Sequence, residues 1–383
     1  MVAASANRCA SIGRAEEFST RVAFFIAGFG GAVWAALVPF AKTRVGVDVG
    51  GLGLLLLAFG LGSILAMPLA GALTGRHGCR RVLIAASLLV CAALPPLATT
   101  STTSVLAAAL FVLGAGVGSV DCVVNIQAVI VERAAGRALM SGFHGLFSVG
   151  GIAGAAGAAG VLSLGASPLA VSLIAVVFTL AAILWAAPHF LGFGGEVSGP
   201  AFAWPRGVVL FIGVLCFVVF LTEGAILDWS AVFLTFTRGA NPAHAGFGYA
   251  AFATMMTVGR LSGDAIVART SRTAIIFVGG LVAAAGLLLA TTAPSVAAAL
   301  IGFALVGAGC SNIVPVLYSA VGRQTLMPDN VAVPAVTTLG YAGILMGPAC
   351  IGFVAHTTSL STAFIIIAVM LVGVAASGRM LKA

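Results

Sequence analysis

Ten acidic residues occur in this chain of 383, and Asp121, Glu223 and Asp228 alone fall well inside long apolar stretches. An ionisable group at the centre of a bilayer costs at least about 2.5–3.5 kcal/mol, so a carboxyl kept there points to chemistry: proton uptake and release, or binding of a polar solute. Glu223 stands near the middle of its stretch, within Thr222-Glu223-Gly224-Ala225-Ile226-Leu227-Asp228-Trp229-Ser230. It is the first candidate for a coupling acid; the alternative is a buried packing residue. Asp121 and Asn125, four residues apart, share one helix face and offer a carboxyl beside an amide, which suits a polar solute or interhelical hydrogen bonding. Asp228 is about 140° around the helix from Glu223, so the two are not a carboxylate pair, and Asp228 with Trp229 reads as an outer gate or interfacial anchor.

Asn312, followed by Pro315 and Tyr318, adds an amide and a helix-opening proline. Trp34, near Gly28, Gly30 and Gly31, offers a stacking surface for a flat ligand or plain packing. His144 lies about one turn inside the membrane surface, near Glu132, as a proton exit, an inner gate or a structural histidine. The substrate- and proton-binding set read from the residues is therefore Glu223, Asp121, Asn125, Asp228, Asn312, Trp34 and His144. The seven cysteines are scattered singly, with no C-x-x-C, and read as small apolar fillers rather than metal ligands. No phosphate-cradling G-x-x-x-x-G-K-[ST] occurs, so energy must come from a gradient or an external subunit. No enzyme activity and no cofactor are expected.

Those residues need helices to hold them. With 61% hydrophobic and 7% charged residues, the chain cannot form a water-covered globule. Stretches such as Leu52–Leu57 and Val105–Leu113 are apolar on every side rather than alternating, which excludes a membrane barrel. Twelve spans are predicted, near 21–41, 52–74, 82–98, 105–131, 141–163, 168–187, 207–234, 245–262, 274–291, 296–319, 332–356 and 361–379. The last six repeat features of the first six at an offset of 193: Gly114-Ala115-Gly116 returns as Gly307-Ala308-Gly309, Arg76 as Arg269, and Gly150/Gly154 as Gly343/Gly347. Such a repeat is the internal symmetry expected of a secondary transporter that rocks about a central site. The expected divisions are a tail over 1–20, a six-helix bundle over 21–187, a linker over 188–206 rich in Gly and Pro, a second bundle over 207–379 and a tail over 380–383.

Placing both termini in the cytoplasm puts fifteen cations inside, Arg260 and Arg269 among them, and leaves only Lys42, Arg44 and Arg238 outside. This is the positive-inside pattern. It accounts for the net charge of +8 without a nucleic-acid partner. Residues 1–20 read as a cytoplasmic tail without a cleavable signal. The expected setting is a bacterial inner membrane, with lipids, protons and a small-molecule substrate as partners and a monomeric chain.

The turn Gly71-Ala72-Leu73-Thr74-Gly75-Arg76-His77-Gly78-Cys79-Arg80-Arg81 resembles the G-x-L-x-D-R-x-G-R-R signature of the major facilitator superfamily (MFS). The segment Gly259-Arg260-Leu261-Ser262-Gly263-Asp264, with Arg269 and Arg272, resembles its counterpart in the second half. The resemblance implies an all-α fold of two pseudo-symmetric six-helix bundles with spans 1, 4, 7 and 10 around a central cavity, and gating roles for Gly71, Arg76, Asp264 and Arg269. Gly75 stands where that signature has its acid. Small residues Gly343, Gly347 and Gly352 around Pro348 in span 11, and Gly150, Gly151, Gly154, Gly157 and Gly160 in span 5, form close-approach faces; Ala155 replaces the proline of the family's drug/proton antiporters. Asp121, Asn125, Glu132, His144 and the Glu223 to Ser230 stretch resemble the YbjJ-like branch, which is distantly similar to sugar/proton symporters, although span 1 lacks their acid. The expected function is proton-coupled movement of a small polar solute by alternating access. Efflux of amphipathic compounds and a non-transporting receptor with this fold are the alternatives.

Overall fold

A computed structural model of the chain describes residues 12–47, 49–194, 203–241 and 244–381. Arg8, Lys382, Gly195, Gly199 and Pro200, which entered the readings of tail, linker and orientation, lie outside the described residues. Every regular element among those described is a helix, as apolar surroundings demand, because a helix satisfies its own backbone groups.

The helices are α1 (Arg14–Val45), α2 and α3 (the two arms of Val49–Thr99, meeting at Gly78), α4 (Thr103–Ala135), α5 (Met140–Ser163) and α6 (Pro168–Ala186). The second set is α7 (Val208–Val232), α8 (Phe247–Arg269), α9 (Arg272–Thr292), α10 (Val296–Cys310, continued by Ile313–Val321), α11 (Asp329–Thr357) and α12 (Leu360–Ser377). Ten helices among the described residues are long and apolar enough to cross a membrane. The difference from twelve has two sources. Val49–Thr99 holds two expected spans in one bent element, and α8, which carries Arg260, Asp264 and Arg269, is not among the ten.

The bend between α2 and α3 has a local cause. Gly78 has φ 82°, ψ 162°, a left-handed backbone that favours glycine, and a Cβ there would meet the backbone of Gly192 and Phe193. The turn holds the chain that follows α6: Cys79 N donates to Phe193 O at 3.3 Å and Arg80 N to Leu191 O at 2.8 Å. Arg80 Nε adds a bond to Phe190 O at 3.0 Å. Residues 188–194, read as the start of the linker, are thus held against the turn between α2 and α3. Gln127 on α4 ties them further, accepting from Leu191 N at 3.1 Å and donating to Thr20 Oγ1 on α1 at 2.9 Å.

The 193-residue repeat is a repeat of packing. A Cβ on Gly114 would strike the carbonyl of Phe59 on α2, and one on Gly307 would strike the carbonyl of Phe252 on α8; Phe59 and Phe252 are themselves 193 apart. Gly116 faces Ala86 and Val90 on α3, while Gly309 faces Gly279 and Ala283 on α9, again at that offset. Each Gly-Ala-Gly therefore lets its helix touch two neighbours backbone to backbone. Arg44 and Arg238, 194 residues apart (238 − 44) and so one position off that offset, play matching parts. Arg44 donates to Leu97 O (2.6 Å) and Thr100 O (2.7 Å) at the end of α3, and Arg238 to Ala290 O (2.8 Å) and Thr291 O (2.7 Å) at the end of α9. Two of the three cations read as outward thus satisfy helix C-terminal carbonyls, where the dipole favours positive charge.

The chain forms two compact units. The first comprises residues 1–136, 146–204 and 327–334, and the second 137–145, 205–326 and 335–383. In the first, an apolar cluster including Val33, Trp34, Leu37, Val90, Leu94, Leu97, Leu110 and Leu113 joins α1, α3 and α4.

Candidate functional site

The second unit holds the arrangement with the most chemistry. Glu223 is fifteen residues from the start of α7 (223 − 208) and fourteen from Thr237 (237 − 223), where the π-turn Phe233–Thr237 that prolongs it ends. Its carboxylate Oε1 lies 3.1 Å from Nη2 of Arg260 on α8, and the two side chains are 19% and 7% exposed. Arg260, read from sequence among the cations of the inner side, is not a loop residue. It is buried within α8, nine residues before the helix ends (269 − 260). The boundary predicted near residue 262 falls seven residues short of Arg269, and that misplacement made a buried cation look like a loop cation.

Small residues on α8 bring its neighbours to Arg260. A side chain at Gly259 would meet Ser311 Oγ, and one at Gly263 would meet Asn312 Oδ1 and Ser141. Pro315 explains why α10 is broken at Ser311 and Asn312, since proline cannot donate to the carbonyl four residues earlier and its ring crowds it. At this break the Asn312 side chain donates through Nδ2 to Gly259 O at 2.9 Å and to Ser311 Oγ at 3.1 Å. The amide thus fastens α10 to the turn of α8 that carries Arg260. His144, at the start of α5, is buried with its ring 5.6 Å from that of Tyr318 on α10, and the Tyr318 hydroxyl is 2.7 Å from Thr337 Oγ1 on α11.

Glu223, Arg260, Asn312 and His144 thus share one unit. Asp228 lies beyond them on α7 with an exposed side chain, and the Trp229 indole faces Gly352 of α11, where a side-chain Cβ would lie 3.2 Å from the ring, with Nε1 buried and unpartnered. Asp121 and Asn125 are buried in α4 of the first unit, where Asn125 Nδ2 donates to the Asp121 carbonyl at 2.8 Å and Asn125 Oδ1 has no partner. Trp34 is enclosed in the apolar cluster of that unit.

The residues read as gating occupy helix ends. Arg76 and Arg269 are exposed. Asp264 directs Oδ2 at Gly142 in the first turn of α5, where a helix N-terminus favours a carboxylate. In the first unit Gly71 fits under Asn330 O and Pro334 at the start of α11. At Gly75, where the family signature has an acid, a side chain would run into the amide of Asn330. The acid's absence leaves room for that amide. Sequence reading passed over Asp329, which receives a forked pair from Arg133 of α4, Nη1 to Oδ2 and Nη2 to Oδ1, both at 3.0 Å. The only signal for it was an acid opening a helix.

A family model described as Major Facilitator Superfamily matches residues 21–333. An uncharacterized MFS-type transporter of Yersinia pestis is 54% identical, over 96% of both chains. Membrane protein MosC of Rhizobium meliloti is 32% identical over 90% of this chain and 84% of its own. Among solved structures, the MFS transporter FucP in the outward conformation superposes with a TM-score of 0.82 at 17% identity, covering 97% of this chain and 100% of the other. The chain belongs to the major facilitator superfamily.

Proposed function

We propose that this major facilitator superfamily transporter couples the movement of a small polar solute to a proton, with Glu223 as the coupling acid. The observation that carries the reading is the Glu223–Arg260 pair: opposite charges at 3.1 Å, midway along an apolar helix, with the acid still 19% exposed. Two charges removed from water gain little net stability from each other, so the pair is poorly explained as glue. Protonation of Glu223 breaks this ion pair, and that difference between two states is what a coupling mechanism requires. In the first unit, Asp121 and Asn125 are the candidate polar contacts for a solute. Asn312 fixes the α8 turn that bears Arg260, and Asp264 with Gly71, Arg76 and Arg269 belongs to the conformational cycle. FucP of Escherichia coli, described as a fucose:proton symporter, supports proton coupling as a property this fold can carry. The test is solute uptake into proteoliposomes across an imposed pH gradient, assayed against sugars, sugar acids, nucleosides and amino acids. Uptake above the equilibrium level, collapsed by a protonophore, is expected; uptake that only equilibrates, whatever the gradient, contradicts proton coupling.

A further inference from the structure

Threonines inside the helices of this chain commonly settle their hydroxyls on the carbonyl one turn back. Thr74 donates to Ala70 O at 2.7 Å, and Thr222 to Val218 O and Thr257 to Ala253 O at 2.8 Å each. The habit has a physical cause: apolar surroundings offer no other acceptor, and a buried hydroxyl left unpaired keeps the cost of losing its water. Thr179 on α6 departs from it. The residue is 1% exposed, and its Oγ1 is buried with no hydrogen-bond partner among the described residues.

Thr179 lines a cavity within the first unit. Ile26 and Gly30 of α1, Val90 of α3 and Val117 of α4 give it apolar walls, and Ser87 of α3, 4% exposed, brings the other hydroxyl of its lining. These residues are all buried, so the cavity belongs to the interior of the unit rather than to its lipid face. It admits a molecule the size of water and little more. Among the described residues no charged one lines it, so an ion would stand there without a counter-charge.

We infer that this cavity is a binding site for one water molecule, held between Thr179 Oγ1 and Ser87 Oγ, and that the water ties α6 to α3. Water offers the Thr179 hydroxyl both an acceptor for its proton and a donor to its lone pairs. Buried waters take two to four polar partners, and the two hydroxyls meet the lower figure. Walls that were apolar throughout would leave so small a space dry. The site is independent of Glu223, which lies in the second unit.

The test is a double-mutant cycle on the full chain, read as melting temperature in detergent. Thr179→Val keeps the shape and removes one hydroxyl; Ser87→Ala removes the other. With a shared water, each single variant is expected to melt about 2–4 °C below the wild type, because the water is left with an unmatched bond. The double variant should melt no lower than the worse single one, because the water leaves with its last partner. Thr179→Val melting at or above the wild type would mean a dry cavity, and additive losses would mean two hydroxyls acting apart; either result overturns the inference. A density map fine enough to show ordered water gives a second reading. The wild type should show a peak within hydrogen-bond distance of both oxygens, and a wild-type map without that peak contradicts the site.

Discussion

Arg260 and Glu223 carry most of the functional argument at the scale of residues, and their energetics make a separate prediction. Removing the cation alone, in Arg260→Gln, leaves Glu223 without its partner, and removing both charges, in Arg260→Gln with Glu223→Gln, leaves a neutral amide pair. Because breaking a buried pair costs about 3–5 kcal/mol whereas neutral replacements are often harmless, the single variant is expected to melt well below the wild type in detergent. The double variant should recover most of the loss. A double variant less stable than Arg260→Gln would mean that the pair is structural glue. Glu223 was legible in the sequence because a charge in a long apolar stretch stands out. Arg260 was not: it lies near the end of an apolar stretch, where hydropathy cannot separate a helix that continues from a loop that begins. Trp34 shows the opposite limit, since one residue type serves both a stacking surface and a packed core, and only its enclosure by Val33, Leu37 and Leu94 distinguishes them.

Helix contact in this chain is set by glycine. Gly114 and Gly307 each press on a backbone carbonyl, of Phe59 and Phe252, which cannot rotate away as a side chain would, while Gly157 has nothing within 4 Å of a would-be Cβ. Gly114→Ala and Gly307→Ala should each lower stability by about 1–3 kcal/mol through overpacking. Gly157→Ala should be neutral or stabilising by up to about 1 kcal/mol, because alanine is the better helix former. Equal melting points for all three would show that the close approaches are not needed. The Gly-Ala-Gly repeat was readable from sequence, but which helix each glycine meets was not, because spacing gives a face and not its neighbour. Asp264 is likewise an element-scale feature, one carboxylate at the first turn of α5. Asp264→Asn is expected to slow transport several-fold while solute affinity changes little; a matching loss of affinity would place Asp264 in the binding site.

Across the whole molecule, the repeat at 193 residues organises the packing, and the compact units cut across it in two places. Residues 137–145 pack with α8 through Gly142, Gly145 and Ser141, and residues 327–334 pack with α2 and α4 through Asn330, Pro334 and Asp329. Sequence symmetry could not disclose this, since it records which segments are alike and not which segments touch. Orientation rests on the cations and has its own test. With Arg260 removed to the helix interior, the inner side still holds a large excess over Lys42, Arg44 and Arg238, so both termini are expected in the cytoplasm. A cysteine at Arg238 should react with an impermeant reagent applied outside, and one at His77 should not; the reverse pattern would invert the topology.

The central claim is that Glu223 links proton movement to solute movement, and one comparison tests it most directly. Glu223→Gln preserves size and hydrogen bonding but cannot titrate. In proteoliposomes, concentrative uptake driven by a pH gradient should be abolished in this variant, while exchange of labelled for unlabelled solute, which needs no net proton movement, should continue. If Glu223→Gln concentrates solute against a gradient as well as the wild type does, Glu223 is not the coupling acid.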